Sequence, residues 1–157
     1  MFEFLRQNPT VGFAPVSFVN DPAVVASGNR FVSVNSARKA DLHGQIVTDT
    51  IGPPQYSGAG GHEGFLAEAS LSLEHTSLIC RPAAATVDGE TKSRVTRSLA
   101  SPSAVATPRH LTGVDVTESG CADLRGLATK ERAHALALIA HPQCRDELVD
   151  AAESLGL

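Results

Sequence analysis

Between Tyr56 and Phe65 the chain carries Gly58, Gly60, Gly61 and Gly64 around Ser57, Ala59, His62 and Glu63. Glycine has no Cβ and enters positive φ at little cost, so this density specifies a backbone that turns sharply and stays open to close approach. A run of unobstructed N–H groups of this kind suits an oxyanion, a phosphate or a thioester carbonyl. On glycine content alone, a tight structural turn and a ligand cradle remain equally open. Directly after the run, Phe65, Leu66 and Ala69 are spaced to face a sheet from a helix reaching Leu71. The loop therefore opens a helix.

The flanking segments supply the rest of an α/β pattern. Phe2–Gln7 reads as a short helix stopped by Asn8-Pro9, because the residue before proline avoids helical geometry. Val16–Val19 alternates like a strand and leads into Asn20-Asp21-Pro22, with Pro22 opening a helical turn through Val25. Asn20 then falls at a strand's carboxyl end, where ligands are met in open α/β sheets. Phe31–Val34 and Gln45–Thr48 read as two neighbouring strands, joined by a polar segment holding Asp41 and His43-Gly44. Ser77–Cys80 is a further strand, Ala83–Gly89 a loop, and Val105 and Val114–Val116 parts of late strands.

In the last third, Ala133, Leu136, Ala137 and Ala140 recur at helical spacing behind the cap candidate Thr129. Pro142 suits the first turn of a second helix, in which Leu148, Val149, Ala152 and Leu155 form one apolar stripe before Gly156. Both stripes read as packing faces against the domain's own sheet. Strands mixed with helices in a chain of 157 residues predict one α/β domain over 1–157, a mixed sheet flanked by helices.

Composition excludes several classes. With 42% hydrophobic and 19% charged residues and a mean hydropathy of −0.02, the chain is neither disordered nor membrane-spanning in character. No apolar run approaches the roughly 20 residues of a bilayer span, and Met1–Phe4 lacks a secretory signal's basic and apolar regions, so the cytoplasm is the expected location. A net charge of −4 and a pI near 5.8 argue against a general nucleic-acid surface. Lys92, Arg94 and Arg97 form a local basic patch, either an anion site or a solvated loop or strand edge.

Cys80, Cys121 and Cys144 are odd in number and widely spaced, which predicts reduced thiols rather than a disulfide framework. The histidines show no metal-ligand spacing, and no metal site is expected. His62 is the one histidine inside a plausible site, either hydrogen-bonded to backbone or serving as a general base. Glu63 stands where G-x-G-x-x-G from Gly58 needs glycine, no P-loop is present, and Ser119 lacks the glycine two before it of a nucleophile elbow. Dinucleotide binding and serine hydrolysis therefore find no support.

Several segments, taken in order, form a larger pattern: Asn8-Pro9, Val19-Asn20-Asp21-Pro22, Ser33-Val34-Asn35-Ser36-Ala37, Asp41-Leu42-His43-Gly44-Gln45, the Tyr56–Gly61 loop, Ser93-Arg94-Val95 and Val116–Arg125. Together with Lys130–Ala133 and Ala140-His141-Pro142 they resemble the C-terminal domain of the acetyl-CoA hydrolase/CoA-transferase family. The resemblance runs from about Phe4 to Ala152 and implies the C-terminal half of a CoA-transferase fold of the NagB/RpiA-like kind.

Members of that family use a glutamate that attacks an acyl-CoA and then carries coenzyme A as a glutamyl thioester until an acceptor carboxylate arrives. The resemblance makes Asn20 and Gly61 the carboxamide and backbone donors for the thioester oxyanion. Gly60 and Ser57 would shape the loop, and the surrounding backbone would line the coenzyme A pocket. It implies acyl-CoA and a short carboxylate as substrates, no covalently held cofactor, and a homo-oligomer. The family's nucleophile lies upstream of the segment resembling Phe4–Pro9, so no catalytic glutamate is expected in this chain. Glu63, Glu68 and Glu118 do not match its motif; Glu118 suits a structural hydrogen bond at a strand end.

Departures from the pattern are His62 for a common glutamine, Gly64 for aspartate, and Glu74-His75-Thr76 for Gly-Gly-Lys. Two readings follow. In one the chain is the C-terminal part of a CoA-transferase or acyl-CoA hydrolase, completed by an upstream domain or subunit and inactive without it, with an apolar face where that domain docks. In the other it is a free-standing, non-catalytic α/β module that retains the fold and coenzyme A binding.

Overall fold

A four-stranded sheet forms the frame of the computed structural model, which describes residues 1–51, 54–58, 60–69, 74–100 and 103–157, and of Glu68 and Ala69 only the backbone. Strands β1 (Val32–Ser36), β4 (Thr76–Cys80) and β8 (Val114–Thr117) run parallel, and β9 (Gly120–Asp123) folds back antiparallel on β8, in the order β1-β4-β8-β9. A second sheet sets β2 (Lys39–Asp41) between antiparallel β3 (Ile46–Val47) and parallel β7 (Val95–Thr96). The strands read at 31–34 and 45–48 therefore do not neighbour each other. The Asp41 carboxylate accepts from the N–H groups of His43 and Gln45 and from the Gln45 amide, closing β2 onto β3 and away from β1.

Three further expectations change. Val16–Val19 is a helical turn, α2, following α1 (Phe2–Leu5), and not a strand. Pro15 precedes it and its carbonyl accepts from Phe18 and Val19. All four residues are exposed, so no partner strand rewards their alternation. Asn20 consequently ends a helical turn, with Asp21 capping the next one, α3 (Pro22–Ala26), through Ala23 and Val24. Ala83–Gly89 is not a loop: β5 (Ala84–Val87) pairs antiparallel with β6 (Glu90–Ser93). Asp88 and Gly89, at φ 54° and 80°, make the two-residue turn that matches the strands' right-handed twist. Val105 lies outside the strands, one residue before Ala106 bonds to Ile46.

Helix α5 (Thr129–Leu138) is capped one residue earlier than expected, at Ala128 with Thr129 already helical, because the Glu131 carboxylate accepts the Ala128 N–H at 2.7 Å. A 3-10 turn, Pro142–Cys144, leads into α6 (Arg145–Ser154). Leu136 and Ala137 from the first helix, Ala140 just past its end, and Leu148 and Ala152 from the second close one core over Leu42, Val95 and Leu124. A second core, Ala37, Ala40, Ile46, Leu66 and Ile79, lies between the two sheets and α4 (His62–Ala69). Leu66, 1% exposed, is the residue that seats α4. The sheet-facing role read for Ala69, the extension to Leu71, and Ala59 of the loop lie outside the described residues.

Between β4 and β8, Arg81 Nη1 donates to the Asp115 carboxylate, and both side chains are fully buried. The amino-terminal segment does the reverse. Phe2, Phe13, Val16 and Phe18 stand in the open, and so do Val32 and Val34 on one face of the edge strand β1.

Candidate active site

The glycine run passes into α4, which contains Gly64, and the two glycines just before the helix are required for different reasons. Gly60 has φ +59°, and a Cβ there would meet nothing within 4 Å, so its constraint is backbone conformation. Gly61 has no such φ. A Cβ at Gly61 would instead stand 2.6 Å from Asn20 Nδ2 and 3.1 Å from the Phe65 ring. Its constraint is space, and the group filling that space is the Asn20 carboxamide.

Two local structures bring Asn20 there. The α2 turn ends on Asn20, whose N–H bonds to the Val16 carbonyl at 2.9 Å, and the Asp21 cap starts α3 at once. Helix α3 packs on α4. Gly61 precedes the first residue of α4, and its carbonyl accepts the Phe65 N–H at 3.0 Å. The opening N–H groups of a helix have no partner inside it, so the Asn20 amide stands beside a set of main-chain donors. A carbonyl oxygen gaining negative charge at such a corner meets donors fixed in advance.

His62 follows directly, is 8% exposed, and shares a proton with Thr107, Nε2 to Oγ1 at 2.7 Å. Its partner is thus a side-chain hydroxyl rather than the expected backbone. Burial holds the imidazole below its ordinary pKa, against the opposing pull of the Glu63 and Asp49 carboxylates. His62 is therefore neutral near pH 7 and pins the amino end of α4. Ser57 donates its N–H to the Asp49 carbonyl, as does Tyr56, which ties the loop's first limb to the end of β3.

The structure brings Asn20, Gly61 and Gly60 to one corner and puts Ser57 on the loop's other limb, beside a cleft of about 450 Å³. Glu118 lies elsewhere: its carboxylate accepts the Ala83 N–H at 2.8 Å, and this bond with its own N–H holds its pKa below the ordinary range. Glu63 is exposed. Residues that sequence reasoning did not connect are Asn35, Arg38 and Thr48, which share the cleft with Ser57, His62 and Arg94. The basic patch of Lys92, Arg94 and Arg97 was visible, but only the pairing of β2 with β7 brings Arg94 to Arg38, whose carbonyl accepts from Arg94 Nη1 at 3.4 Å.

The fold is that of an α/β domain of the CoA-transferase class. The chain belongs to the acetyl-CoA hydrolase/transferase C-terminal domain family, whose model matches residues 1–152. It is 37% identical across its whole length to 35% of a probable butyrate:acetyl-CoA coenzyme A-transferase of Syntrophomonas wolfei. It is 40% identical over 98% of its length to 34% of the butyryl-CoA:acetate CoA-transferase of Anaerostipes caccae. The crystal structure of RipA from Yersinia pestis superposes with a TM-score of 0.85 at 36% identity, over 99% of this chain and 34% of that one. The chain thus spans about a third of the length of these relatives. No helix among the described residues is long and apolar enough to cross a membrane.

Proposed function

We propose that this chain is the C-terminal part of an acyl-CoA:carboxylate CoA-transferase or acetyl-CoA hydrolase, and that it supplies the thioester oxyanion donors and part of the coenzyme A pocket. One observation carries the reading: the Asn20 amide nitrogen occupies the space a Gly61 side chain would take. In an acyl transfer, attack on the thioester carbonyl drives charge onto its oxygen, and the Asn20 N–H and Gly61 N–H stabilise that charge without reorganising. Gly60 and Ser57 hold the loop that presents them. Coenzyme A is then a substrate moiety, not a resident group.

The nucleophilic glutamate belongs to an upstream domain, and the exposed face around Phe13, Phe18, Val32 and Val34 is where that domain docks. Subunits associate as a homo-oligomer. The test uses the chain supplied with a glutamate-bearing upstream domain, assayed with an acyl-CoA and acetate. Asn20→Ala lowers kcat about 10²–10³-fold with little change in KM. Unchanged kcat in that variant overturns the donor assignment. Coenzyme A binding without turnover in the completed protein establishes instead a non-catalytic binding module.

A further inference from the structure

The cleft beside Ser57 has an uneven chemistry. It sits at the carboxyl end of β1, lined by Asn35, Arg38, Thr48 and Arg94 together with the loop and His62. Three of these present an atom that is buried and has no hydrogen-bond partner: Asn35 Nδ2, Thr48 Oγ1 and Arg94 Nε. All three are able to donate. Buried donors are paired as a rule, so three orphans around one cleft describe a site for an acceptor-rich group.

Charge agrees with the donor count. Arg38 and Arg94 also border a second cleft of about 300 Å³, which Lys39 and Lys92 line from the other side. Among the described residues no carboxylate lines either cleft. The carboxylates of Glu63 and Asp49 act on His62 but line neither cleft. The Arg38 guanidinium lies 4.2 Å over the Tyr56 ring. Stacking occupies its face and leaves its in-plane N–H edge for an acceptor, the arrangement in which arginine grips planar or tetrahedral oxyanions. The position also obeys the general rule that parallel sheets meet ligands beyond their carboxyl ends.

We propose that this cleft binds a small oxyanion, a carboxylate or phosphate group, between the guanidinium groups of Arg38 and Arg94, with the Asn35 amide and Thr48 hydroxyl completing its shell. The site shares the glycine loop with the Asn20–Gly61 corner but none of its donors. Two sources offer this chemistry: a free carboxylate on a short acyl or acceptor chain, and a phosphate of a nucleotide.

The 157-residue chain, titrated in separate arms with succinate, inorganic phosphate and adenosine 3′,5′-bisphosphate, tests this through the arginine Nε–H signals in ¹H–¹⁵N spectra. A saturating shift of the Arg94 signal is expected, and Arg38→Gln weakens the affinity about tenfold or more, the loss of a charged hydrogen-bond partner. Tightest binding by succinate identifies a carboxylate subsite; tightest binding by the bisphosphate identifies a nucleotide subsite. Asn20→Ala leaves these titrations as they are, so failure of the oxyanion corner and failure of this cleft are told apart. If Arg94→Gln does not fold, Arg38→Gln and Thr48→Val decide the matter. Shifts that stay linear in all three arms up to on the order of 50 mM, or wild-type affinity in folded Arg38→Gln, overturn the proposal.

Discussion

Replacing Gly61 by alanine tests the geometry of the corner without any substrate. The new Cβ stands 2.6 Å from Asn20 Nδ2 and 3.1 Å from the Phe65 ring, both closer than ordinary van der Waals contact. Overpacking of this kind costs about 1–3 kcal/mol. Against it, removing a glycine restricts the unfolded chain and returns about 0.4–1 kcal/mol where the native φ is compatible. The net loss is roughly 1–2 kcal/mol. Most of it arises from the amide, the nearer obstacle, so in an Asn20→Ala background the same substitution is close to neutral. The four proteins of this cycle, unfolded in urea and followed by far-UV circular dichroism, show a coupling energy of about 1 kcal/mol or more. Additivity within about 0.3–0.5 kcal/mol means the two groups do not touch, and the corner as described does not exist.

Two other perturbations report on the frame around the site. Arg81→Met strands the fully buried Asp115, whose carboxyl burial already pushes up against the pull of Arg81, and costs about 3–5 kcal/mol in chemical denaturation. Arg81→Met with Asp115→Leu recovers most of that loss; a double variant as unstable as the single one refutes the pairing. For His62 the folded pKa is depressed, so the unfolded chain binds the extra proton. Stability is fully present above the ordinary value of 6.5 and falls as pH drops from there to the lower folded value. His62→Gln removes that slope from a plot of unfolding free energy against pH, and an unchanged slope assigns it to another group.

What the sequence disclosed follows the range of the physics involved. The α5 and α6 faces were legible because Ala133, Leu136 and Ala137 in one helix and Leu148 and Ala152 in the other repeat within their own helices. The Asp88-Gly89 turn was equally local, a strong hairpin signal that the reading of 83–89 as a loop passed over. Val16–Val19 misled for the opposite reason: alternation implies a strand only where a partner exists, and these residues have none. Pairing of β1 with β4 and the meeting of Asn20 with Gly61 join distant parts of the chain, and no local pattern encodes them. The resemblance to a family brought those two residues together. Nothing in the sequence joined Asn35, Arg38, Thr48 and Arg94, whose shared cleft depends on the register of two separate sheets.

The corner's precision rests on how α4 is held, since an eight-residue helix has little stability of its own. Three contacts fix it. Leu66 is sunk in the core between the sheets, His62 is bonded to the fully buried Thr107, and α3 covers it from the side that carries Asn20. Thr107 in turn bridges Ile46, which belongs to the same core as Leu66. The backbone donor and the carboxamide therefore reach their positions through one connected body. Asn20 joins that body from the exposed, briefly helical segment before α3, where its N–H is held by the Val16 carbonyl. Under the proposed function, an upstream domain seated on that segment would brace the same body, so docking and preorganisation of the proposed oxyanion donors would form a single event.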